Sequence, residues 1–243
     1  MTCTVKKLCD FYKTPLGDVV QVYINDIVKK FIPENTKNQF ILGIGYATPY
    51  FTEKLTHSNT VLSFTFDKMG GITWPNTSCS HTAIVHEDHI PLANKSVDRL
   101  IVVHALECCQ SGEGLLKEIN RIIALDGEVL IVFPNKAGVW SHTSHSPFAH
   151  GKHYTMSQLH DMLLKSGLHV ESEERFLYFP PTQSLYTQSF FAPVEMMGSY
   201  FLPYFSGLNA ITAKKRTIIT PNQPAPQRPV AKKGVLKANG QST

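Results

Sequence analysis

The stretch Gln39-Phe40-Ile41-Leu42-Gly43-Ile44-Gly45-Tyr46-Ala47-Thr48-Pro49 decides how the rest of the chain is interpreted. Its first half is a short apolar run, which is typical of a buried parallel strand. Glycines at 43 and 45 then favour a tight turn, and Pro49 can occupy the first turn of a helix. On its own, this pattern predicts no more than an ordinary strand–turn–helix unit.

The same alternation continues along the chain. Further short β-prone runs lie at Val61–Phe66, Ala83–Val85, Val97–Val103, Glu128–Phe133 and Val170–Tyr178. Apolar residues at helical spacing occur in Val19–Phe31, Leu115–Ala124 and Ser157–Ser166, and Asp126-Gly127 is expected to close the second of these helices. Strands alternating with helices predict a three-layer, doubly wound α/β sandwich with a mostly parallel sheet of seven strands.

Composition predicts one domain followed by a tail. The domain is expected over residues 1–220, with an N-terminal helix at 17–32 and an irregular cap at about 180–210. The tail, residues 221–243, is basic and proline-rich and has few large apolar side chains. Such a segment buries too little surface to offset its ordering entropy, so we expect it to be disordered.

Charge and cysteine content restrict the partners. A net charge of +4 is mild for 243 residues and gives little support for a nucleic-acid groove. The five cysteines are odd in number and follow no signal-peptide pattern, so reduced thiols in the cytoplasm are the simpler interpretation.

No apolar run reaches the ~18 residues of a membrane span, so no membrane partner is expected. The histidines near 142–153 lack a cysteine or carboxylate partner, so no metal is expected.

Three later blocks give the glycine turn a more specific meaning. They are Glu87–Leu92, Ser96–Glu107 and Leu116–Val132, in that order after the turn. Together with the turn, they resemble the class I S-adenosylmethionine-dependent methyltransferase superfamily over roughly residues 12 to 180. Met69–Pro75, His104–Glu107, Pro134–Trp140 and Ser146–Leu159 are further similar to a type 11-like alphaproteobacterial subfamily of unassigned substrate. The resemblance implies a Rossmann-like fold and S-adenosyl-L-methionine as cofactor, but it brings no acceptor.

The resemblance also implies a set of cofactor-binding positions. They are Gly43, Gly45, Tyr46, Ala47, Thr48, Asp67, Glu87, Asp88 and His104. Two positions depart from the superfamily pattern, because Gly43 stands where an acid usually precedes the glycine loop and Thr65 stands where an acid usually meets the ribose. Asp67 comes two residues later on the same strand. Glu87 or Asp88 could meet the adenine amino group or belong to a solvated loop.

Candidate catalytic residues follow the fourth strand. His104 is a candidate general base because histidine titrates near neutral pH, although a structural histidine at a strand end is the competing interpretation. Glu107 could face the substrate or cap the next helix. Trp140, Phe148, His150 and Tyr154 are candidate substrate-pocket residues, with core packing of the aromatic rings as the alternative.

Two functions remain open from sequence. The first is an S-adenosylmethionine-dependent methyltransferase that acts on an unidentified small-molecule or protein acceptor. The second is a catalytically degenerate protein of the same fold that serves as a binding or regulatory subunit. The absent acids at Gly43 and Thr65 motivate the second.

Overall fold

The structure of this protein is a computed structural model that describes residues 4–75, 80–143, 146–181 and 191–215. The predicted tail, 221–243, lies outside the described residues. Within them, no helix is long and apolar enough to cross a membrane. Nor does the described part of the chain bring together three or more His, Cys, Asp or Glu residues that could hold a metal ion.

A seven-stranded sheet forms the centre of the fold, with the strand order β3-β2-β1-β4-β5-β7-β6. The strands are β1 Phe40–Gly45, β2 Thr60–Phe66, β3 Thr82–Val85, β4 Val97–Val103, β5 Ile123–Pro134, β6 Leu168–Phe176 and β7 Leu208–Lys215. Neighbours from β3 to β5 pair in parallel, whereas β7 is antiparallel to both β5 and β6. The predicted mostly parallel seven-stranded sheet is confirmed.

The strand order creates a crevice at the carboxyl ends of β1 and β4. From β1 the chain proceeds outward to β2 and β3, then returns to β4 on the other side of β1. Loops leaving β1 and β4 therefore diverge in opposite directions. In open α/β sheets, ligands bind at such a switch point.

Within the described residues, six α-helices pack around the sheet. They are α1 Val5–Tyr12, α2 Pro15–Phe31, α3 Glu53–Ser58, α4 Gly112–Ile122, α5 Met156–Lys165 and α6 Phe191–Phe201. Side-chain caps start several of them: the Thr14 hydroxyl accepts from Gly17 N–H before α2, and Thr155 forms a capping box with Gln158 before α5. These caps satisfy amide donors that a helix leaves unpaired at its N-terminus.

Three elements differ from the sequence-based expectation. Helix α1 precedes the predicted N-terminal helix, and α6 forms within the segment expected to be irregular. The Asp126-Gly127 pair does not end a helix, because α4 already ends at Ile122 and the pair lies inside β5. The pairing of β4 with β5 is irregular there: Val97 aligns with Ile123 and Arg99 with Glu128. A bulge of this kind accommodates the extra residues without ending the strand.

Candidate active site

The Gly43–Pro49 turn lies at the carboxyl end of β1 and is buried except at Pro49. Gly45 has a φ of +86°, and a Cβ there would collide with the Val103 carbonyl oxygen of β4. A Cβ on Gly43 would lie 2.6 Å from the Ala47 Cβ. The Tyr46 N–H donates to the Val103 oxygen at 2.8 Å. The glycines therefore let the turn pack closely on β4.

Helix α1 lies across the crevice and contacts the loops that follow three strands. Its Val5 N–H donates to the Met69 carbonyl, beyond β2, at 2.8 Å. The Cys9 Sγ lies 3.1 Å from the Tyr46 hydroxyl, in the turn after β1. The Tyr12 hydroxyl lies 2.9 Å from His104 Nε2, directly after β4. One two-turn helix therefore covers the ends of β2, β1 and β4.

A chain of hydrogen bonds runs through the buried centre of this site. The Tyr50 hydroxyl donates to the Tyr12 hydroxyl at 3.1 Å. Because Tyr12 accepts that bond, its own hydrogen is directed at His104 Nε2, and the ring proton is then placed on Nδ1. That nitrogen lies 3.1 Å from Glu107 Oε1. Glu107 thus holds His104 in the tautomer in which Nε2 can accept a proton.

Glu107 has one oxygen without a partner. Its side chain is 2% exposed, and Oε2 has no hydrogen bond among the residues that the structure describes. The other oxygen serves His104 Nδ1. A buried carboxylate oxygen without a donor costs free energy, so this atom is a candidate for contact with a positively charged or N–H-bearing ligand.

Burial controls the ionisation of the tyrosines in the crevice. It raises the pKa of Tyr12 well above its ordinary value, with the adjacent Tyr50 adding to the effect. Burial also raises the pKa of Tyr46 and of Tyr50. Removing a phenolate from water is unfavourable, so these hydroxyls stay neutral at physiological pH and act as hydrogen-bond donors.

Aromatic rings close the remaining side of the histidine. The Phe148 ring stacks on His104 with centroids 4.8 Å apart. Behind it, Trp140 meets Phe148 edge-on at 5.8 Å and donates its indole N–H to the Phe179 carbonyl at 2.7 Å. Phe148 therefore belongs to the site, whereas Trp140 packs in the core behind it.

Among the described residues, the predicted adenine and ribose residues make no hydrogen bond to His104 or Glu107. Asp67 is exposed in the turn after β2, and Asp88 is exposed after β3. Glu87 is buried, and its Oε1 accepts hydrogen bonds from Gln110 N–H at 2.6 Å and Ser111 N–H at 2.9 Å. In this arrangement the Glu87 carboxylate ties its loop to the residues before α4.

The remaining substrate candidates lie at the margin of the site. His150 is partly buried, and burial, followed by nearby positive charges such as Lys7 of α1, lowers its pKa. Tyr154 is also partly buried, and burial raises its pKa to about 12. The structure thus brings together the turn, His104, Glu107 and Phe148, and Tyr154 lies close enough to Glu107 for that carboxylate to contribute to its raised pKa.

Sequence reasoning missed Cys9, Tyr12 and Tyr50. The first two lie on α1, which was not predicted. A signal was present, since Val5, Leu8 and Tyr12 have helical spacing and Thr4 caps the helix, but the helix is short and carries several charged residues.

Side chains of α1 occupy the crevice above the turn. Three surface grooves of about 590, 540 and 300 Å³ lie elsewhere, and none is lined by the turn, His104 or Glu107. Tyr12 stacks on Tyr46 with ring centroids 5.5 Å apart, so the α1 side chain fills the space above the turn. A ligand of the crevice therefore needs α1 to move.

The strand order, the antiparallel β7 and the glycine turn after β1 together define the Rossmann-like fold of class I methyltransferases. Solved structures agree. An S-adenosylmethionine-dependent methyltransferase from Archaeoglobus fulgidus is similar with a TM-score of 0.56 and 17% identity, over 80% of this chain and 94% of that one. A chain from the complex between the Trm112 methyltransferase activator and a methyltransferase from Haloferax volcanii is similar with a TM-score of 0.54 and 14% identity. The similarity covers 83% of this chain and 96% of that one.

Fold similarity does not by itself assign the reaction. The [4+2]-cyclase SpnF is similar at a TM-score of 0.52 and 12% identity, over 79% of this chain and 80% of that one. No protein-family model and no curated protein sequence matches this chain. The comparisons therefore establish the fold, and the residues of the site bear on the reaction.

Proposed function

We propose that this protein is an S-adenosylmethionine-dependent methyltransferase whose cofactor crevice is closed by α1 in the described conformation. The observation that carries the proposal is the joint position of the glycine turn after β1 and the His104–Glu107 pair after β4, on the two sides of the switch point. The sequence resemblance to the type 11-like alphaproteobacterial subfamily and the cytoplasmic location inferred from sequence belong to the same proposal.

The residues of the crevice fit the cofactor only after α1 has moved. The backbone groups of the turn at the end of β1 are then available to the cofactor. The unpartnered Oε2 of Glu107 can accept a hydrogen bond from the ammonium group of the methionine moiety. Asp67 is exposed at the end of β2 and is available for the ribose. When bound, the cofactor supplies an electrophilic methyl group.

The chain's own residues would then prepare the acceptor. His104 Nε2, which now accepts from Tyr12, becomes free to accept a proton from an acceptor nucleophile. Glu107 stabilises the imidazolium that forms, since its Oε1 is already bonded to Nδ1. Phe148 covers the other face of the imidazole and excludes water. The acceptor is a small molecule or a protein that presents a protonated nucleophile.

A degenerate binding or regulatory protein is the second candidate, and the α1-filled crevice favours it. If α1 never leaves, the residues that contact the turn are permanent core packing, and the absence of acids at Gly43 and Thr65 has no functional cost. The two candidates therefore differ in one measurable property, namely whether S-adenosylmethionine binds.

Calorimetric titration with S-adenosylmethionine separates the two candidates, with Tyr12→Ala as the test variant and the exposed Asp10→Asn on α1 as the control. Tyr12→Ala removes the ring stacked on Tyr46 and the bond to His104. If α1 competes with the cofactor, every ~1.4 kcal/mol of closing contacts that Tyr12→Ala removes tightens binding about tenfold. Asp10→Asn should bind like the unmodified protein. Absence of binding by all three proteins at millimolar ligand would overturn the methyltransferase proposal in favour of the second candidate.

A further inference from the structure

A second feature of the sheet's carboxyl edge is a surface of exposed apolar side chains over residues 194–205, which we call the apolar surface. It consists of the second part of α6 and the loop after it. The largest exposed fractions are 80% for Tyr200, 72% for Tyr204, 71% for Met196 and 68% for Phe201. Val194, Met197, Leu202 and Phe205 are also exposed. Single exposed apolar residues are common on proteins, but a contiguous group of this size indicates a binding surface.

The side chains of the apolar surface are almost all uncharged, and the neighbouring cation is Arg175, whose guanidinium lies 5.3 Å from the centroid of the Tyr204 ring. Glu195 is the one charged residue between 194 and 205. Its carboxylate accepts hydrogen bonds from Leu177 N–H at 2.7 Å and Tyr178 N–H at 2.6 Å, so it is directed at the protein. Burial raises the pKa of Glu195, in agreement with this inward position. The outward side chains are therefore aromatic, aliphatic or thioether groups with a few hydroxyls.

The apolar surface lies at the same edge of the sheet as the crevice. It follows β6, whose carboxyl end at Phe176 is next to the start of β7 at Leu208. Gly198 of α6 packs directly against the Tyr178 side chain, where a Cβ would collide. Asn135, at the end of β5, donates to the Tyr204 carbonyl at 2.9 Å. The position of the apolar surface is thus fixed by contacts with the sheet.

The charge near the apolar surface is positive in one groove and mixed in another. A groove on the same side is lined by Lys136, Lys152 and Lys165, with Asp161 as its acidic residue. The adjacent groove, to which Tyr204 contributes, has Asp161, Glu173 and Arg175 as its Asp, Glu and Arg residues, so its charge is mixed. From residue 196 to the last residue, 243, the chain has no Asp or Glu, whereas it has Lys214, Lys215, Arg216, Arg228, Lys232, Lys233 and Lys237.

The basic residues after β7, from 216 onward, lie outside the described residues, but the length of the chain there is sufficient to span the distance to the apolar surface. Strand β7 has 8 residues, so Lys215 lies ~26 Å from the carboxyl edge at ~3.3 Å per residue. Residues 216–232 span up to ~55 Å when extended, which exceeds that distance. A second copy of this chain would bring two such basic segments together, which is unfavourable, whereas an anionic lipid surface would attract them.

We propose that the apolar surface is a docking site for an anionic lipid bilayer. Tyr200, Phe201 and their neighbours would lie among the lipid headgroups and upper acyl chains, where aromatic rings are favoured. The basic residues would add the electrostatic attraction that a small apolar insertion needs for stable binding. This proposal differs from the sequence-based expectation of no membrane partner, and it places the crevice near the membrane at the same edge of the protein.

Co-sedimentation of the full chain with phosphatidylcholine vesicles, with and without phosphatidylserine, tests the proposal. The unmodified protein should bind the vesicles that contain phosphatidylserine and lose most of that binding in high salt. The double variant Tyr200→Ser/Phe201→Ser should bind at least about tenfold more weakly, because two inserted rings are lost. Val22→Ser, which changes an exposed apolar residue of α2, is the matched control and should bind normally.

Other outcomes would overturn the proposal. Failure of the unmodified protein to sediment with either vesicle, or equal binding by the double variant, would show that the apolar surface does not dock on lipid. Analytical ultracentrifugation tests whether a second copy of this chain covers the apolar surface instead. A dimer that the double variant abolishes, without vesicle binding by the unmodified protein, would assign the surface to a second copy. Unchanged thermal unfolding of the double variant verifies its fold.

Discussion

Helices α1 and α6 lie at the same edge of the sheet, yet they bury very different fractions of their apolar side chains. Helix α1 is the more polar of the two, with Lys6, Lys7 and Asp10 in eight residues, but its Val5, Leu8 and Tyr12 are all buried. Helix α6 has Glu195 as its one charged residue and exposes most of its large side chains that the structure describes. Apolar content alone therefore does not determine which helix is buried.

The difference lies in the pattern of residues. In α1 the apolar residues recur at intervals of three and four, so one stripe faces the crevice and the charges face water. In α6 apolar residues occur on all sides, so packing on Tyr178 buries one side and leaves the others exposed. We infer that α1 is held as part of the fold, whereas α6 presents a surface for binding.

Core substitution should give the largest contrast between the two helices. Leu8→Ala removes a side chain that is fully buried, and it is expected to lower the free energy of unfolding by ~2–5 kcal/mol. Tyr200→Ala, on α6, should change it by no more than ~0.5 kcal/mol, because the ring is exposed. Urea unfolding of both variants provides the measurement. Similar losses of stability would show that α6 is covered in the folded protein.

Removal of the Tyr12 hydroxyl should have the next largest effect on the free energy of unfolding. Tyr12→Phe leaves His104 Nε2 without its partner and deprives Tyr50 of its acceptor, at a cost of ~1–3 kcal/mol. The equivalent change on α6, Tyr200→Phe, should be neutral. Chemical unfolding at neutral pH compares the two variants. Equal stability of both variants would mean that the buried hydrogen-bond chain is not formed in solution.

Alkaline pH should weaken the α1 region through its tyrosines. Because burial raises the pKa of Tyr12 and of Tyr50 in the folded protein, their stabilising contribution is present below the ordinary tyrosine pKa of ~10 and is lost as pH rises above it. The temperature of the unfolding midpoint should therefore decrease when the pH is raised above about 10. The Tyr12→Phe/Tyr50→Phe variant should show a smaller fall, and an unchanged fall would contradict this assignment.

The cap of α1 should make the smallest contribution to the free energy of unfolding. The Thr4 hydroxyl accepts from Lys7 N–H at 3.5 Å, a long bond, so Thr4→Ala should cost ~0.5 kcal/mol, the low end for a helix cap. Thr14→Ala, at the shorter 3.1 Å cap of α2, should cost ~1 kcal/mol. Thermal unfolding distinguishes the two. A larger loss from Thr4→Ala would indicate a tighter α1 cap than the structure shows.

The sequence predicted six of the seven strands, because each of these six has a local signal. The apolar runs of β1 and β4 and the glycines in the last part of β1 are visible without any tertiary contact. Strand β7 was not located, because Leu208–Lys215 mixes polar and small residues and is recognisable mainly by its pairing with β5 and β6. The position of Asp126-Gly127 inside β5 likewise depends on a neighbouring strand.

The site was predicted in part for the same reason. His104 and Glu107 follow a clear strand, so their place near the turn could be anticipated. The partners of Glu87 are backbone groups of Gln110 and Ser111, and sequence alone could not pair these loops. The contact between Tyr12 and His104 joins residues 92 positions apart, and it depends on where α1 packs.

The most direct test of the closed crevice is the rate at which N-ethylmaleimide modifies Cys9, measured by mass spectrometry with and without S-adenosylhomocysteine. Cys9 lies on α1 beside Tyr46, and Cys109 is an internal reference, since burial raises its thiol pKa to about 12. If the ligand binds only when α1 leaves the crevice, it should accelerate modification of Cys9 and leave Cys109 unreactive. Ligand binding, seen as a raised thermal midpoint, with no acceleration at Cys9 would contradict the account.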